Sequence, residues 1–471
     1  MTTSTSRTAS ARKARSETTG MLMALLMRLH FHVGLLVGPF LLVAATSGLL
    51  YALTPQLENA VFHHQLYTDA RGPTLPLAEQ IGVARGAIGD EARLSAVRPA
   101  PAPGNTTRVM FHESGMGPSD ARAIFVDPVT GEVRGDLPVY GTSGALPLRT
   151  WIDKFHRSLL LGDWGRLYSE LAASWLWVVA LGGLVLWRQR RRRVAAGRER
   201  PAGMRRWHGT LGAWLMLGLL FFSATGLTWS QWAGGNIAVL RTAWGWGTPS
   251  VSTRLEGSEP TPAQTAANVP HTTGGATTAA AGGVTPERFD GVLAAARQAG
   301  LEAGKIEIIP PARADQAWQV REIDRGWPTR VDEAAIDPKT LEITDRTRFE
   351  NFPLAAKLTR WGIDAHMGSL FGLANQLLLV MVASGLIVMI VLGYRLWWQR
   401  RPTRYRHARP PLAILRRLPW PLTLGIVSLA ALVGWALPVM GASLLAFLVI
   451  DSLLLYYRQR RERAASTEAS S

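Results

Sequence analysis

The feature that most constrains this chain is the gathering of its apolar residues into six long runs. A helix needs about 17–25 mostly apolar residues to cross the hydrocarbon layer of a membrane. The runs fall at about 31–53, 167–187, 209–229, 370–394, 421–437 and 441–457. Hydrophobic residues make up 47% of the 471 positions, so it is their segregation that marks a polytopic membrane protein. The last two runs are short and read as one tight helical hairpin.

Charge sets the expected orientation. The net charge of +17 is concentrated: 188–206 holds nine Arg, and 395–417 holds eight Arg and no acid. Arg7, Arg12, Lys13 and Arg15 precede the first run, and Arg458, Arg460, Arg461 and Arg463 follow the last. By the positive-inside rule these four segments, with both termini, are cytoplasmic in a bacterial inner membrane. Segments 54–165 and 231–365 then lie outside in the periplasm, and they carry 28 of the 34 Asp and Glu. Because the Arg runs abut apolar spans, topology accounts for them and no nucleic-acid partner is expected. The absence of cysteine excludes disulfides, thiolate metal sites and iron–sulfur clusters. No small-residue cleavage site stands out near the N-terminus, so the first helix is expected to stay uncleaved.

The chain repeats itself. LHFHVGLLVGPFLLVAATSGLLY from Leu29 aligns without a gap on WHGTLGAWLMLGLLFFSATGLTW from Trp207, at an offset of 178. His30 falls on His208, Gly34 on Gly212 and Gly48 on Gly226. Likewise WIDKFHRSLLLG ends at Gly162 and WGIDAHMGSLFG at Gly372, with His156 and His366 each six residues before the glycine. Two parallel copies follow, each an outgoing helix, an external segment and a returning helix. The second copy is longer by 32 residues between its histidines, and the Gly-, Ala-, Thr- and Pro-rich stretch 257–284 reads as a flexible insert. Each external segment holds a helical stretch, about 76–88 or 285–300, then alternating apolar residues around an Asp-Pro turn that signal a β-hairpin.

The expected fold is therefore a membrane α-helical bundle. Four core transmembrane helices form two parallel repeats, a C-terminal helical hairpin follows, and two small α+β modules lie outside. In order, the chain reads as a cytoplasmic tail (1–28), helix 1 (29–53), module 1 (54–165), helix 2 (166–187), an Arg-rich loop (188–207) and helix 3 (208–230). Module 2 (231–365), helix 4 (366–394), a basic loop (395–419), the hairpin (420–457) and a cytoplasmic tail (458–471) complete it.

Four histidines carry the functional argument. Neutral imidazole is a common metal ligand and binds haem iron axially. His30 and His208 belong near the inner face, and His156 and His366 near the outer one, so the repeat yields two pairs. Polar groups in membrane spans are costly and tend to mark function. Two imidazoles from separate helices clamp a flat macrocycle, which points to two b-type haems whose iron has no open position. One haem near each face would divide the roughly 30 Å apolar core into shorter electron hops. Arg28 and Arg157 are candidate partners for haem propionates, with Arg205 and Arg206 behind them, and His32 is a backup ligand. Gly34, Gly38 and Gly212 either let a macrocycle approach the backbone or serve close helix packing. His63 and His64 read as a solvated pair. Glu170, Asn375 and Gln376 either bond between helices or line a path to the outer haem. Asp451, alone in the last run, has no functional reading.

The motifs LHFHVGLLVGPFLLVAATSGLLY, FHRSLLLGDWGRLYSELAASW, WHGTLGAWLMLGLLFFSATGLTWSQW and WGIDAHMGSLFGLANQLLL resemble those of PepSY-associated transmembrane proteins. The likeness covers roughly residues 25–400 and lies nearest the PiuB-like iron-regulated subgroup, with FoxB-like ferrisiderophore reductases among its relatives. It implies haem-containing inner-membrane reductases of periplasmic Fe(III)–siderophore, and it carries the ligand roles onto His30, His156, His208 and His366. It implies that the external modules are PepSY-like, with the VDPVTGEV hairpin near Val126 the better match. Two departures stand out: position 32 is His where the family often has an aromatic residue, and position 340 is Thr where the second hairpin usually shows Gly. Some relatives carry a fused flavin reductase domain, which residues 395–471 do not show. The donor expected is thus a separate cytoplasmic flavin reductase or a membrane quinol. Two other functions compete: a non-enzymatic PepSY protein that binds a peptide or protease, and a siderophore or metal permease. Against a permease, the spans show few intramembrane charges and no broken helix of the transporter kind, and the binding protein leaves the matched histidines without a role.

Overall fold

The structure is a computed structural model that describes residues 3–89, 91–117, 119–199, 203–255, 284–399 and 411–468. The flexible insert expected at 257–284, all but its last residue, and positions 400–410 of the basic loop lie outside the described residues. Two compact units emerge. The first comprises 1–49, 154–244 and 378–471, and the second 50–153 and 245–377.

The first unit is helical. It opens with α1 (Thr3–Leu36), followed by α2 (Gly38–Ala52), which runs on into the second unit. Four helices are long and apolar enough to cross a membrane: Ser16–Leu36 within α1, and the whole of Gly162–Ala195, Gly203–Thr228 and Gly372–Trp398. A fifth is reached if the broken pair Gly38–Ala52 and α3 (Thr54–Val61) counts as one span. The chain is thus membrane-embedded. α1 begins well before the first apolar run, and its apolar part takes in Met21–Met27. The break near Val37 has a local cause. Pro39 has no N–H, so the Leu35 carbonyl loses its helical donor, and the Tyr394 hydroxyl supplies one at 2.6 Å.

In the second unit α4 (His63–Leu66) and α5 (Leu77–Ile88) precede β1 (Arg93–Arg98), β2 (Thr107–His112), β3 (Asp120–Val126) and β4 (Val133–Tyr140). Then α6 (Pro147–Ser158) leads to α7 (Gly162–Ala195), α8 (Gly203–Thr228) and α9 (Trp232–Ala243) in the first unit. α10 (Arg288–Gln298), β5 (Ile306–Ile309), β6 (Trp318–Glu322), β7 (Glu333–Ile336), β8 (Ile343–Thr347) and α11 (Leu354–His366) return to the second. α12 (Gly372–Trp398), α13 (Pro411–Leu415), α14 (Trp420–Ala436) and α15 (Pro438–Glu468) finish the first.

α12 is apolar all round, as a span must be. Leu379, Val382, Ala383 and Leu386 are buried while Leu378, Met381, Val388 and Val391 are exposed. Val382 and Leu386 of this stripe pack with Val33, Leu41, Trp175, Leu176, Leu215 and Leu219 of α1, α2, α7 and α8. α14 and the apolar part of α15 are shorter than a full span. They turn tightly on glycine, since a Cβ on Gly441 would lie 2.5 Å from the Gly434 carbonyl oxygen.

The eight strands of the second unit form one antiparallel sheet in the order β4-β3-β2-β1-β5-β6-β7-β8. Each external segment read from the sequence thus supplies four consecutive strands, and β1 and β5 join them through the pair Val97 and Ile308. One sheet face buries Phe111, Ile124, Ile308, Trp318 and Ile336 against Ile81 of α5 and Phe289 of α10. At the seam the carboxylate of Glu307 lies between two guanidiniums. Arg98 reaches Oε1 at 2.6 Å, and Arg321 Nε reaches Oε2 at 2.6 Å.

The two hairpin turns are built alike. Asp127 Oδ1 accepts from the Val129 and Thr130 N–H groups, and Asp337 Oδ1 accepts from those of Lys339 and Thr340. The next residue takes a left-handed backbone: Gly131 at φ 75° and Leu341 at φ 61°. The position that favours glycine is therefore 341, not 340 as the sequence reading had it. Thr340 keeps its N–H for Asp337, and Leu341 bears the steric cost.

Candidate functional site

His30 lies on α1 and His208 near the start of α8, both half-buried. Their ring centroids stand 6.4 Å apart with planes at 80°. Each ring is fixed by a backbone carbonyl on a further helix. His30 Nδ1 meets the Val179 oxygen of α7 at 3.1 Å, and His208 Nδ1 meets the Met389 oxygen of α12 at 3.1 Å. A carbonyl oxygen only accepts, so Nδ1 carries the proton in both rings and Nε2 keeps its lone pair.

A helical carbonyl has a second lone pair, but side chains usually screen it. Here the residues four positions on, which supply the ordinary helical N–H donor, are Gly183 and Gly393. A Cβ on Gly183 would lie 3.0 Å from His30 Cε1, and one on Gly393 would lie 3.6 Å from His208 Cε1. The missing side chains let the imidazoles reach the backbone.

Both rings line a cavity of about 1330 Å³ within the first unit. Its walls are largely apolar helix faces, with Arg28, Arg205, Arg206, His32 and Asp451 among them. Gly34 opens on this space with nothing within 4 Å of a Cβ, whereas Gly38 packs on Tyr394 and Gly212 on the Met389 side chain. The two readings of these glycines thus divide, the first leaving room in the cavity and the others serving helix packing.

The spacing suits two imidazoles on one metal. Metal–imidazole bonds run about 2.0–2.1 Å, and two in line put the ring centroids about 6 Å apart. Two imidazoles are too few for a bare ion, which takes four or more donors. Among the described residues no group of three or more His, Asp or Glu gathers as metal ligands do. The pair fits an iron macrocycle that brings its own equatorial nitrogens.

His156 lies on α6, also in the first unit, and its Nδ1 is 2.9 Å from Ser47 Oγ. That hydroxyl donates its single proton to the Val43 carbonyl at 2.7 Å, so it accepts from His156. A Cβ on Gly48 would lie 3.2 Å from His156 Cε1. The backbone here is fixed as well. The Tyr168 hydroxyl donates to the His156 carbonyl, and Gly165 lies so close that a Cβ would fall 1.7 Å from the Ser158 oxygen. His366 is the last residue of α11 in the second unit, half-buried, and follows the ion pair of Asp364 with Arg360 at 2.8 Å.

The motifs around all four histidines lie within residues 27–400, which match the family model of the PepSY-associated TM region. The chain belongs to the PepSY-associated TM family. A comparison with curated proteins found no match.

Other polar residues of this PepSY-associated TM protein have structural work. His32 donates Nδ1 to the Arg28 carbonyl at 2.8 Å, one turn back, and its ring meets Phe447 at 5.2 Å. It therefore faces α15 as well as the cavity. Arg157 is half-buried in the last turn of α6, with its carbonyl accepting from Ser169. Arg205 meets Glu199 at 3.4 Å, which also holds Arg190 at 3.1 Å. Glu170 is fully buried and accepts from the Trp232 and Ala233 N–H groups, capping α9. Asn375 donates to the Ala365 carbonyl, and Gln376 pairs with Gln56 at 2.6 Å. On the surface of the second unit His64 pairs with Arg134, and His63 stacks near Tyr67.

Proposed function

We propose that this protein is an inner-membrane dihaem b reductase that passes electrons outward to Fe(III)–siderophore and frees the iron as Fe(II). The observation that carries this reading is the His30–His208 pair: two rings at metal-sharing distance, each with Nδ1 tied to a carbonyl and Nε2 left to ligate. In haem proteins such outer hydrogen bonds set ring orientation and ligand basicity. His156 and His366 would ligate a second haem, by their equivalent places in the two sequence copies.

The haem, when bound, supplies one-electron ferric–ferrous chemistry. The chain's own residues supply the rest. Val179, Met389 and Ser47 hold the imidazoles in the ligating tautomer. Gly183, Gly393 and Gly48 leave the rings room. The apolar helix faces around the cavity exclude water and favour the less charged state of the site. Arg28 and Arg157 stand as propionate partners. The donor on the cytoplasmic side would be a flavin reductase or a membrane quinol. The sheet unit, with its PepSY-like halves, would meet the chelate in the periplasm. Siderophores hold Fe(III), a hard ion, far better than Fe(II), so reduction releases it.

The test is transmembrane reduction in proteoliposomes. Reductant is enclosed, a ferric hydroxamate is supplied outside, and external Fe(II) is trapped with a chromophoric chelator. Wild type should form Fe(II), and His30→Ala and His208→Ala should not. Equal rates with and without the protein would overturn the reading.

A further inference from the structure

The second unit ends in the first turns of a membrane span. Its segment 245–377 takes in α11 and the start of α12 at Gly372. The 27 residues of α12 run about 40 Å, enough for the roughly 30 Å hydrocarbon core with headgroup layers at both ends. Its first turn therefore lies at headgroup level. Only Met367–Phe371 separate it from the end of α11, so α11 closes within about 20 Å of that turn.

α11 is turned inside out for a helix in water. Ala356 and Asp364 are buried, and Arg360, one turn from each, pairs with Asp364 at 2.8 Å. Ala356 packs with Val331, Phe349 and Phe352. Residues two positions apart lie on nearly opposite sides of a helix. The other side thus carries Leu354 and Leu358, which are 67% and 57% exposed. A surface helix in water keeps its leucines inside and its charges outside. Here the ion pair goes in and the leucines go out, as on a helix that meets lipid.

Aromatic rings carry this apolar face on to the span. Trp361, three residues after Leu358, lies 5.7 Å from Trp327, and Trp327 lies 5.9 Å from Phe371. Trp327 and Phe371 are 58% and 57% exposed. The Trp327 N–H donates to the Leu370 carbonyl at 2.7 Å, which holds its loop to the residues just before α12. Exposed Leu373 and Leu377 continue the surface into the span itself, where lipid is the solvent. Tryptophan is enriched at this depth.

We propose that α11 and the Trp327 loop rest in the headgroup–acyl boundary of the bilayer, with Leu354, Leu358, Trp327 and Phe371 inserted among lipid. The contact ties the sheet-bearing unit to the membrane surface and sets His366, the last residue of α11, at headgroup depth. It needs no cofactor and stands apart from the haem reading.

The chain has no cysteine, so a single introduced one takes a nitroxide label at a chosen place. Leu354→Cys, Leu358→Cys and Trp327→Cys are compared with Lys339→Cys, on the exposed turn between β7 and β8, in the full chain in phospholipid nanodiscs. Electron paramagnetic resonance reads collisions of the label with oxygen, which concentrates in lipid, and with a water-soluble nickel chelate. The ratio of oxygen to nickel collisions should be severalfold higher at the three patch positions than at Lys339. Equal ratios would put the face in water and overturn the proposal. Loss of collisions with both agents would mean that a protein partner or a second copy covers the face, and would overturn it too. Should the cysteine variants fail to fold, wild type is probed with a phospholipid bearing a diazirine near its headgroup. Adducts within 354–361 are expected, and adducts confined to the spans would overturn the proposal.

Discussion

The Tyr394 hydroxyl donates to the Leu35 carbonyl at 2.6 Å, filling the place of the N–H that Pro39 lacks. α12 is thereby latched to α1 one turn past His30. Tyr394→Phe leaves a buried carbonyl without that donor, a loss of about 1–3 kcal/mol. The variant should unfold at a lower temperature in detergent while keeping its far-ultraviolet helix signal. An unchanged melting temperature would show that water fills the gap.

The glycine cradles grade the imidazole sites. A Cβ at Gly183 would come within 3.0 Å of His30, and one at Gly393 only within 3.6 Å of His208. Gly183→Ala should therefore perturb the inner haem spectrum and lower its occupancy, and Gly393→Ala should do so less. Equal effects would show that the close approach at Gly183 does not bear on His30.

Ser47 plays for His156 the part that backbone carbonyls play for His30 and His208. Only here can the acceptor be removed by substitution. Ser47→Ala removes the hydroxyl 2.9 Å from His156 Nδ1 and should move the midpoint potential of one haem while leaving the other in place. Redox titration followed at the Soret band reads both, and movement of both or neither would contradict the assignment.

The seam of the sheet depends on Glu307. Burial would raise its carboxyl, but Arg98 and Arg321 outweigh that and hold it below the ordinary value. Because the folded value is the lower one, the stabilisation is complete above the unfolded value and is lost as pH falls through the folded one. The seam should thus hold at neutral pH and loosen below the ordinary glutamate value of about 4.3. Glu307→Gln, which leaves two buried guanidiniums without their carboxylate, should cost about 3–5 kcal/mol. Amide protection at β1 and β5, taken relative to the intrinsic exchange rate at each pH, checks both, falling in acid for wild type and being lower at all pH values for the variant.

The apolar runs and the meeting of His30 with His208 were legible because each has a local signature, the first in hydropathy and the second in a gapless repeat. Their fixing partners were not. Val179 and Met389 act through backbone oxygens, which any residue offers, and Gly183 and Gly393 had no motif to single them out. The joining of β1 to β5 pairs segments over 200 residues apart, which no local alternation encodes. The early start of α1 was obscured by the polar stretch before Gly20, which reads as a tail until helix continuity carries it into the span. Leu341 was missed because a left-handed turn position was assigned one residue early.

The central claim is tested most directly by haem stoichiometry and reduced-minus-oxidised spectra on purified wild type beside His30→Ala and His208→Ala. Two haems per chain in wild type, falling to one in each variant with a single remaining midpoint potential, is the result this account requires. A colourless wild-type protein, or variants that retain both haems with unaltered spectra, would contradict it.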